Sequence, residues 1–232
     1  MKREYTNLVR FFLDELLPPI LRDNKYFMYP IFYYWFKGKY ISEIMQFKKN
    51  VYSYTPEEYS DFYKKISNRA DDRPTDMNRE SVEHIIRSLD ESLSTLLDVG
   101  CGRGYLLSEI REKKNFDLTG CEIHNGLKHA DIKFQSGFVE NLPFPDKSFD
   151  IVVCTHTLEH ILDLKKAIHE LKRVAKKQLI IVTPRQKYYY YTLDLHVNFF
   201  PIAEPLCQQI GLVDFTCKDI GGDWVYVAKL TD

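Results

Sequence analysis

From Leu96 onward, short apolar runs alternate with segments whose apolar residues recur at helical spacing. That alternation predicts βαβ units on a parallel sheet. Strands are expected over 95–99, 117–121, 132–135, 149–154 and 178–183. A helix over 164–175 places Ala167, Ile168, Leu171 and Val174 on one face, with Lys165, Lys166, Lys172 and Arg173 largely outside it. Near the end, a helix over 202–210 stops at Gly211, and the runs 213–220 and 224–230 flank Gly221-Gly222-Asp223. Those glycines between two strand-like runs predict a hairpin.

The first 75 residues follow a different pattern. Tyr26, Phe27, Tyr29, Phe32, Tyr33, Tyr34, Trp35 and Phe36 crowd between Lys25 and Lys37. Helical stretches are expected over 42–49 and 56–67, a polar segment over 71–74, and a helix over 78–89 that leads into the first strand. The boundary is placed near residue 75, giving a helical, aromatic-rich extension over 1–75 and an α/β domain over 76–232. The most apolar run, 26–36, is far shorter than the roughly 20 residues that cross a bilayer. Lys2 and Arg3 precede an apolar stretch interrupted by Arg10, Asp14 and Glu15, which does not read as a signal peptide. A cytoplasmic protein is the expectation. The aromatic segment admits three readings: a cap over a pocket, a peripheral membrane contact, or hydrophobic packing, of which packing with a partial cap leads.

Lys and Arg number 32 against 33 for Asp and Glu, so no global basic field attracts nucleic acid. Five cysteines with no Cys-x-x-Cys spacing predict reduced thiols. The seven histidines do not cluster with them in a familiar ligand spacing, and no metal site is expected.

Candidate chemistry concentrates at Leu96-Leu97-Asp98-Val99-Gly100-Cys101-Gly102-Arg103-Gly104. An apolar strand ends in an acid and then in glycines at every second position, which lets the backbone turn sharply and a ligand approach closely. The helix expected over 105–113 would direct its free N–H groups at that ligand. The third glycine comes one residue too early for the Gly-x-Gly-x-x-Gly fingerprint of dinucleotide folds. A dehydrogenase is therefore only a third reading. An acid at the end of the second strand is suited to accept both ribose hydroxyls, and Glu122 stands there, 18 residues after Gly104.

The form acid-x-Gly-x-Gly-x-Gly at Asp98, Gly100, Gly102 and Gly104 resembles motif I of the class I S-adenosylmethionine-dependent methyltransferases. The resemblance implies a Rossmann-like, seven-stranded, mostly parallel sheet ending in an antiparallel hairpin. It also implies S-adenosyl-L-methionine as cofactor, held by Asp98, Gly100, Cys101, Gly102, Gly104 and Glu122, with Ile123 against the adenine and Thr155 at the end of the fourth strand. Residues 136–144, Ser-Gly-Phe-Val-Glu-Asn-Leu-Pro-Phe, are similar to the family's Gly-Asp-Ala-Glu-x-Leu-Pro-Phe signature. Phe138 replaces the usual Asp and cannot accept from an adenine amino group. It is expected to stack on or wall the base, with backbone near Val139 making the polar contacts. The link between Glu122 and Gly137 is also short, with room for about one helical turn where the family has a full helix.

Thr155-His156-Thr157-Leu158-Glu159-His160 resembles the family's Ser-His-x-Leu-Glu-His segment. This implies His156 at the mouth beside the transferred methyl, as a base or as lining; His160 is expected to pack in the following helix start. A long connection after Pro184 carries Tyr188 to Tyr191, expected as part of a lid or packed against the aromatic N-terminus, and His196 beside Asp194, a second candidate base. The expected activity is methylation, as O-methylation, of a small-molecule or glycan-like acceptor. The glycan rests on a weaker likeness of 17–23, the aromatic stretch and 75–78 to methyltransferases of bacterial surface polysaccharides. Methylation of a quinone or another small metabolite is the alternative, as is a non-catalytic S-adenosylmethionine-binding subunit. No Asn/Asp-Pro-Pro-Tyr motif follows the fourth strand, which argues against DNA-base methylation. The oligomeric state is not legible in the sequence.

Overall fold

The computed structural model describes residues 11–67, 75–127 and 131–231, and the polar segment at 71–74 lies outside them. The chain forms two compact units, residues 1–73 with 186–199, and residues 74–185 with 200–232.

In the first unit a π-turn at Phe12–Leu16 precedes α1 (Pro19–Arg22), α2 (Lys25–Trp35), α3 (Ile41–Met45), α4 (Phe47–Asn50) and α5 (Pro56–Ser67). Asn24 starts α2 by accepting from the N–H groups of Tyr26 and Phe27 at 2.9 and 3.1 Å, which satisfies two of its orphan donors. α5 begins with a reciprocal capping box: the Thr55 N–H donates to Glu58 at 2.8 Å, and the Glu58 N–H to the Thr55 hydroxyl at 3.2 Å. The helix expected over 42–49 is broken at Gln46, whose ψ of 0° does not continue the α3 spiral. Met28, Phe32 and Phe36 supply the inward side of the α2 region.

Residues 186–199 group with these helices rather than with the sheet, which the boundary placed at 75 did not anticipate. The Tyr190 N–H donates to Asp23 at 2.6 Å, Lys48 donates to the Tyr189 carbonyl, and Phe32 meets Tyr191 edge-on. Packing within this unit is thus what Tyr189 to Tyr191 do. The Lys48 ammonium lies 4.4 Å from the Tyr188 ring centre and 4.1 Å from that of Phe199. Burial pulls its pKa down to about 7.

The second unit is the sheet. Its strands are β1 (Thr95–Val99), β2 (Asp117–Glu122), β3 (Lys133–Ser136), β4 (Phe149–Thr155), β5 (Ala175–Pro184), β6 (Phe215–Ile220) and β7 (Asp223–Lys229), in the order β3-β2-β1-β4-β5-β7-β6. The first five run parallel, and β7 pairs antiparallel with both β5 and β6. α6 (Arg79–Ser88), α7 (Tyr105–Lys113), α8 (Leu164–Val174) and α9 (Ala203–Ile210) complete it. Alternation along the strands divides the core. Leu97, Val152 and Ile181 pack with Ile168 and Leu171 of α8; Leu96, Ile151 and Ile180 pack with Ile85 of α6 and Leu107 of α7.

Every predicted strand is present. β5 starts at Ala175, three residues before the expected position, because α8 passes into it without an intervening loop. The hairpin turn is Gly221-Gly222, with φ of 59° and 92°, conformations that only glycine adopts at low cost. Asp223, expected in that turn, is the first residue of β7.

Candidate functional site

β1, β2 and β4 deliver their C-terminal ends side by side, with Asp98 in register with Gly120 of β2 and Val153 of β4. Asp98 is buried, and its Oδ1 has no hydrogen-bond partner. Burial, with Glu122 adding like charge, pushes its pKa up to about 7. A buried carboxylate left in this state is suited to a cationic ligand group.

The loop after β1 is bent by Gly100, Gly102 and Gly104 at φ of 75°, 52° and 80°. Two of these glycines are packed against protein: a Cβ on Gly100 would lie 2.0 Å from the Thr157 hydroxyl, and one on Gly104 2.5 Å from Leu127. A Cβ on Gly102 would meet nothing within 4 Å, so this is the glycine that faces open space. The N–H groups of Gly100 and Cys101 donate to the Cys121 carbonyl at 2.8 and 3.2 Å, which fastens the loop to β2. Gly104 caps α7 without a side-chain acceptor, leaving that helix start open to an anion or dipole. The Cys101 side chain packs inward, and burial raises its thiol well above the ordinary value.

Glu122 ends β2 and meets the same loop. One carboxylate oxygen accepts from the Gly102 N–H at 3.2 Å, the other from the Ile123 N–H at 2.8 Å. The Ile123 carbonyl accepts from the Ser136 hydroxyl at 2.8 Å, tying β2 to the end of β3. Phe138 is half-buried and forms a bridge with Asn141, whose N–H donates to the Phe138 carbonyl at 2.9 Å. The Val139 side chain belongs to the hydrophobic core. The following Leu142–Phe144 segment is clamped from α8. Arg173 donates to the carbonyls of Leu142 and Phe144 at 3.0 and 2.7 Å, and Glu170 accepts from the Leu142 N–H at 2.8 Å.

At the end of β4, Thr155 is buried and its carbonyl accepts from the Thr157 hydroxyl at 3.0 Å. His156 adopts φ of 48°, its N–H donating to the Val182 carbonyl at 2.9 Å. Its ring is held between two acids. Nδ1 lies 3.5 Å from Glu159 and Nε2 3.2 Å from Asp223, the second approach lacking hydrogen-bond geometry. Burial lowers the imidazole pKa, but Asp223 and Glu159 together outweigh it and leave it raised. Asp223 is itself held by Asn78 at 2.8 Å and Ser81 at 2.9 Å, at the start of α6. His160 ends a single 3-10 turn, Leu158–His160.

Asp98, the glycine loop, Glu122, Ile123, Phe138, Thr155 and His156 therefore share one edge of the sheet. His196 belongs to the other unit, where its Nδ1 pairs with Gln186 Oε1 at 2.6 Å. Sequence reasoning missed Asp223, Glu159, Asn78 and Ser81. The available signals were an acid directly after a glycine turn, an Asn before a helix, and the place of Glu159 in the segment that resembles Ser-His-x-Leu-Glu-His.

The residues present fit S-adenosylmethionine on observations of this edge: an unpartnered buried carboxylate, an open glycine and an uncapped helix start. Residues 97–183 match the family described as "Methyltransferase domain". The uncharacterized methyltransferase YcgJ of Bacillus subtilis is 34% identical over 92 residues, covering 35% of this chain and 36% of that one. Ajmaline N-methyltransferase of Rauvolfia serpentina is 29% identical over 123 residues, 42% of each. The chain thus spans less than half the length of either relative. The solved structure of a Thermotoga maritima SAM-dependent methyltransferase superposes with a TM-score of 0.52 at 16% identity over 65% of this chain and 87% of that one, a likeness of fold. Residues 97–183 of the sheet unit thus match a methyltransferase domain, and the unit has the fold of a SAM-dependent methyltransferase.

Proposed function

We propose that the protein methylates a small-molecule or glycan-like acceptor, at oxygen, with S-adenosylmethionine as donor. The observation that carries this reading is the buried Asp98, whose Oδ1 has no hydrogen-bond partner, followed by a loop in which Gly102 is open. Asp98 would hold the cofactor's amino group and Glu122 the ribose hydroxyls, with the glycine loop bordering the methionine end. Ile123 and Phe138 would flank the adenine. When bound, S-adenosylmethionine supplies a methyl on a sulfonium for in-line displacement, so the protein's task is mainly alignment.

An oxygen acceptor also needs a proton removed. His156 is poorly placed to remove it, because both ring nitrogens face carboxylates, which raise its pKa. His196 is the second candidate base, its Nδ1 paired with Gln186 Oε1.

The test is incubation of the purified chain with methyl-labelled cofactor and a panel of hydroxyl-bearing glycans, quinones and amines. Transfer to a glycan or another hydroxyl acceptor supports the reading, and transfer to a quinone carbon moves it to the quinone alternative. Tight cofactor binding without transfer to any acceptor, cell extract included, replaces it with the non-catalytic subunit.

A further inference from the structure

α2 has an outward face unlike that of an ordinary soluble helix. Tyr26, Tyr29 and Tyr33 recur at spacings of three and four and so share that face, with Tyr34 at its border. They are exposed by 86, 47, 56 and 84%, and Ile20 of the preceding α1 by 80%. The inward side of the same helix is already filled by Met28 and Phe32, so core packing does not account for the tyrosines. The Tyr29 and Tyr33 rings stack with centroids 6.5 Å apart, and exposed aromatic and apolar surface of this kind marks an interaction site.

The charge around it narrows the partner. Lys25 opens α2, while Lys37 and Lys39 follow its end, and all three are exposed. Among the described residues none of them is ion-paired. From residue 17 to residue 40 the only acid is Asp23, and its carboxylate accepts from the Tyr190 N–H. The face is therefore aromatic in the middle and cationic at both ends. Tyrosine rings favour the headgroup layer, and lysines beside them gain from anionic lipid. The eleven residues of α2 extend only about 16 Å, too short to cross a bilayer but suited to lying in its surface. Among the described residues no helix is long and apolar enough to span one.

We infer that the outward face of α2, with Ile20 and the lysines at 25, 37 and 39, docks this protein on an anionic lipid surface. The aromatic rings enter the headgroup region while the lysines meet lipid phosphates. This surface is independent of the methyl-transfer reading.

Co-sedimentation of the full chain with phosphatidylcholine vesicles, with and without phosphatidylglycerol, tests it. Binding is expected only to the vesicles containing phosphatidylglycerol, weakening as salt is added. Each of Lys25→Gln, Lys37→Gln and Lys39→Gln should lower the partition coefficient roughly fivefold. A Tyr26→Ser/Tyr33→Ser/Tyr34→Ser variant with unchanged circular dichroism should also lose binding. Failure to bind the anionic vesicles, equal binding to both vesicle types, or undiminished binding by both sets of variants overturns the inference. So does a dimer that the tyrosine substitutions dissolve in a chain that ignores vesicles, since the face would then belong to a second copy.

Discussion

His156 Nε2 lies 3.2 Å from Asp223 Oδ1, joining the residue after β4 to the first residue of β7. Glu159 approaches the other ring nitrogen, and the acids raise the imidazole pKa above its ordinary 6.5 despite burial. A raised folded pKa gives stability that is full below pH 6.5 and is lost as pH rises through the folded value. His156→Gln should therefore cost about 3 kcal/mol at pH 6, the scale for breaking a buried pair, and less above that window. Urea unfolding of both proteins from pH 6 to 9 measures the difference. A difference that does not change with pH would show that the ring contributes packing alone.

Asp98 behaves in the opposite functional sense. Its folded pKa of about 7 lies above the ordinary 3.8, because burial and Glu122 disfavour the charge. For an acid shifted upward, stability is full below pH 3.8 and declines as pH rises through 7. Asp98→Asn should thus stabilise the cofactor-free protein at pH 8 by a few kcal/mol, on the order of 3, while leaving it little changed at pH 4. The same change removes the charge that would meet the cofactor's amino group, and should weaken S-adenosylmethionine binding about tenfold or more. Thermal unfolding and calorimetry on one variant separate these effects. A variant that gains stability at pH 8 and binds cofactor normally would remove Asp98 from the proposed site.

Gly100 and Gly102 share a motif but not a role. Alanine at either must adopt positive φ, at a cost of about 1–2 kcal/mol. At Gly100 the added Cβ also runs into Thr157, so Gly100→Ala should destabilise by more than 3 kcal/mol or fail to fold. At Gly102 the Cβ enters open space, so Gly102→Ala should keep its fold and lose cofactor affinity. Chemical denaturation and cofactor titration of the two variants provide the comparison. Intact affinity in Gly102→Ala would mean that the ligand does not approach that face of the loop.

The difference between those glycines also shows what the chain made legible. Asp98, the three glycines and Glu122 could be placed because strand, turn and helix follow one another within a few residues, and each constrains the next. The His156 site could not be completed that way. Asp223 is far along the chain and reaches His156 only because β7 runs antiparallel beside β5, a pairing that local pattern does not encode. Residues 186–199 carry no helical or strand period, so nothing in their own pattern reveals that Asp23 and Lys48 hold their backbone. The strand at 175–184 begins before its pattern predicts because Lys176, Lys177 and Gln178 look like the end of α8. Pairing with β4 and β7 overrides that local polarity.

Arg173 offers a test of how the Leu142–Phe144 segment is held. Its guanidinium donates to two carbonyls of that segment and to Asp146, while Glu170 is fixed beside it at 2.7 Å and accepts from the Leu142 N–H. A planar fork can serve these acceptors together, whereas a lysine ammonium offers one point charge. Arg173→Met should cost about 2 kcal/mol, since it leaves carbonyls and a charged Glu170 without their donor. Arg173→Lys should recover less than half of that loss if fork geometry matters. Urea denaturation gives the stabilities, and hydrogen exchange at Leu142 reports the segment itself. Full recovery by lysine, or unchanged exchange at Leu142 in Arg173→Met, would show that α8 does not clamp this loop.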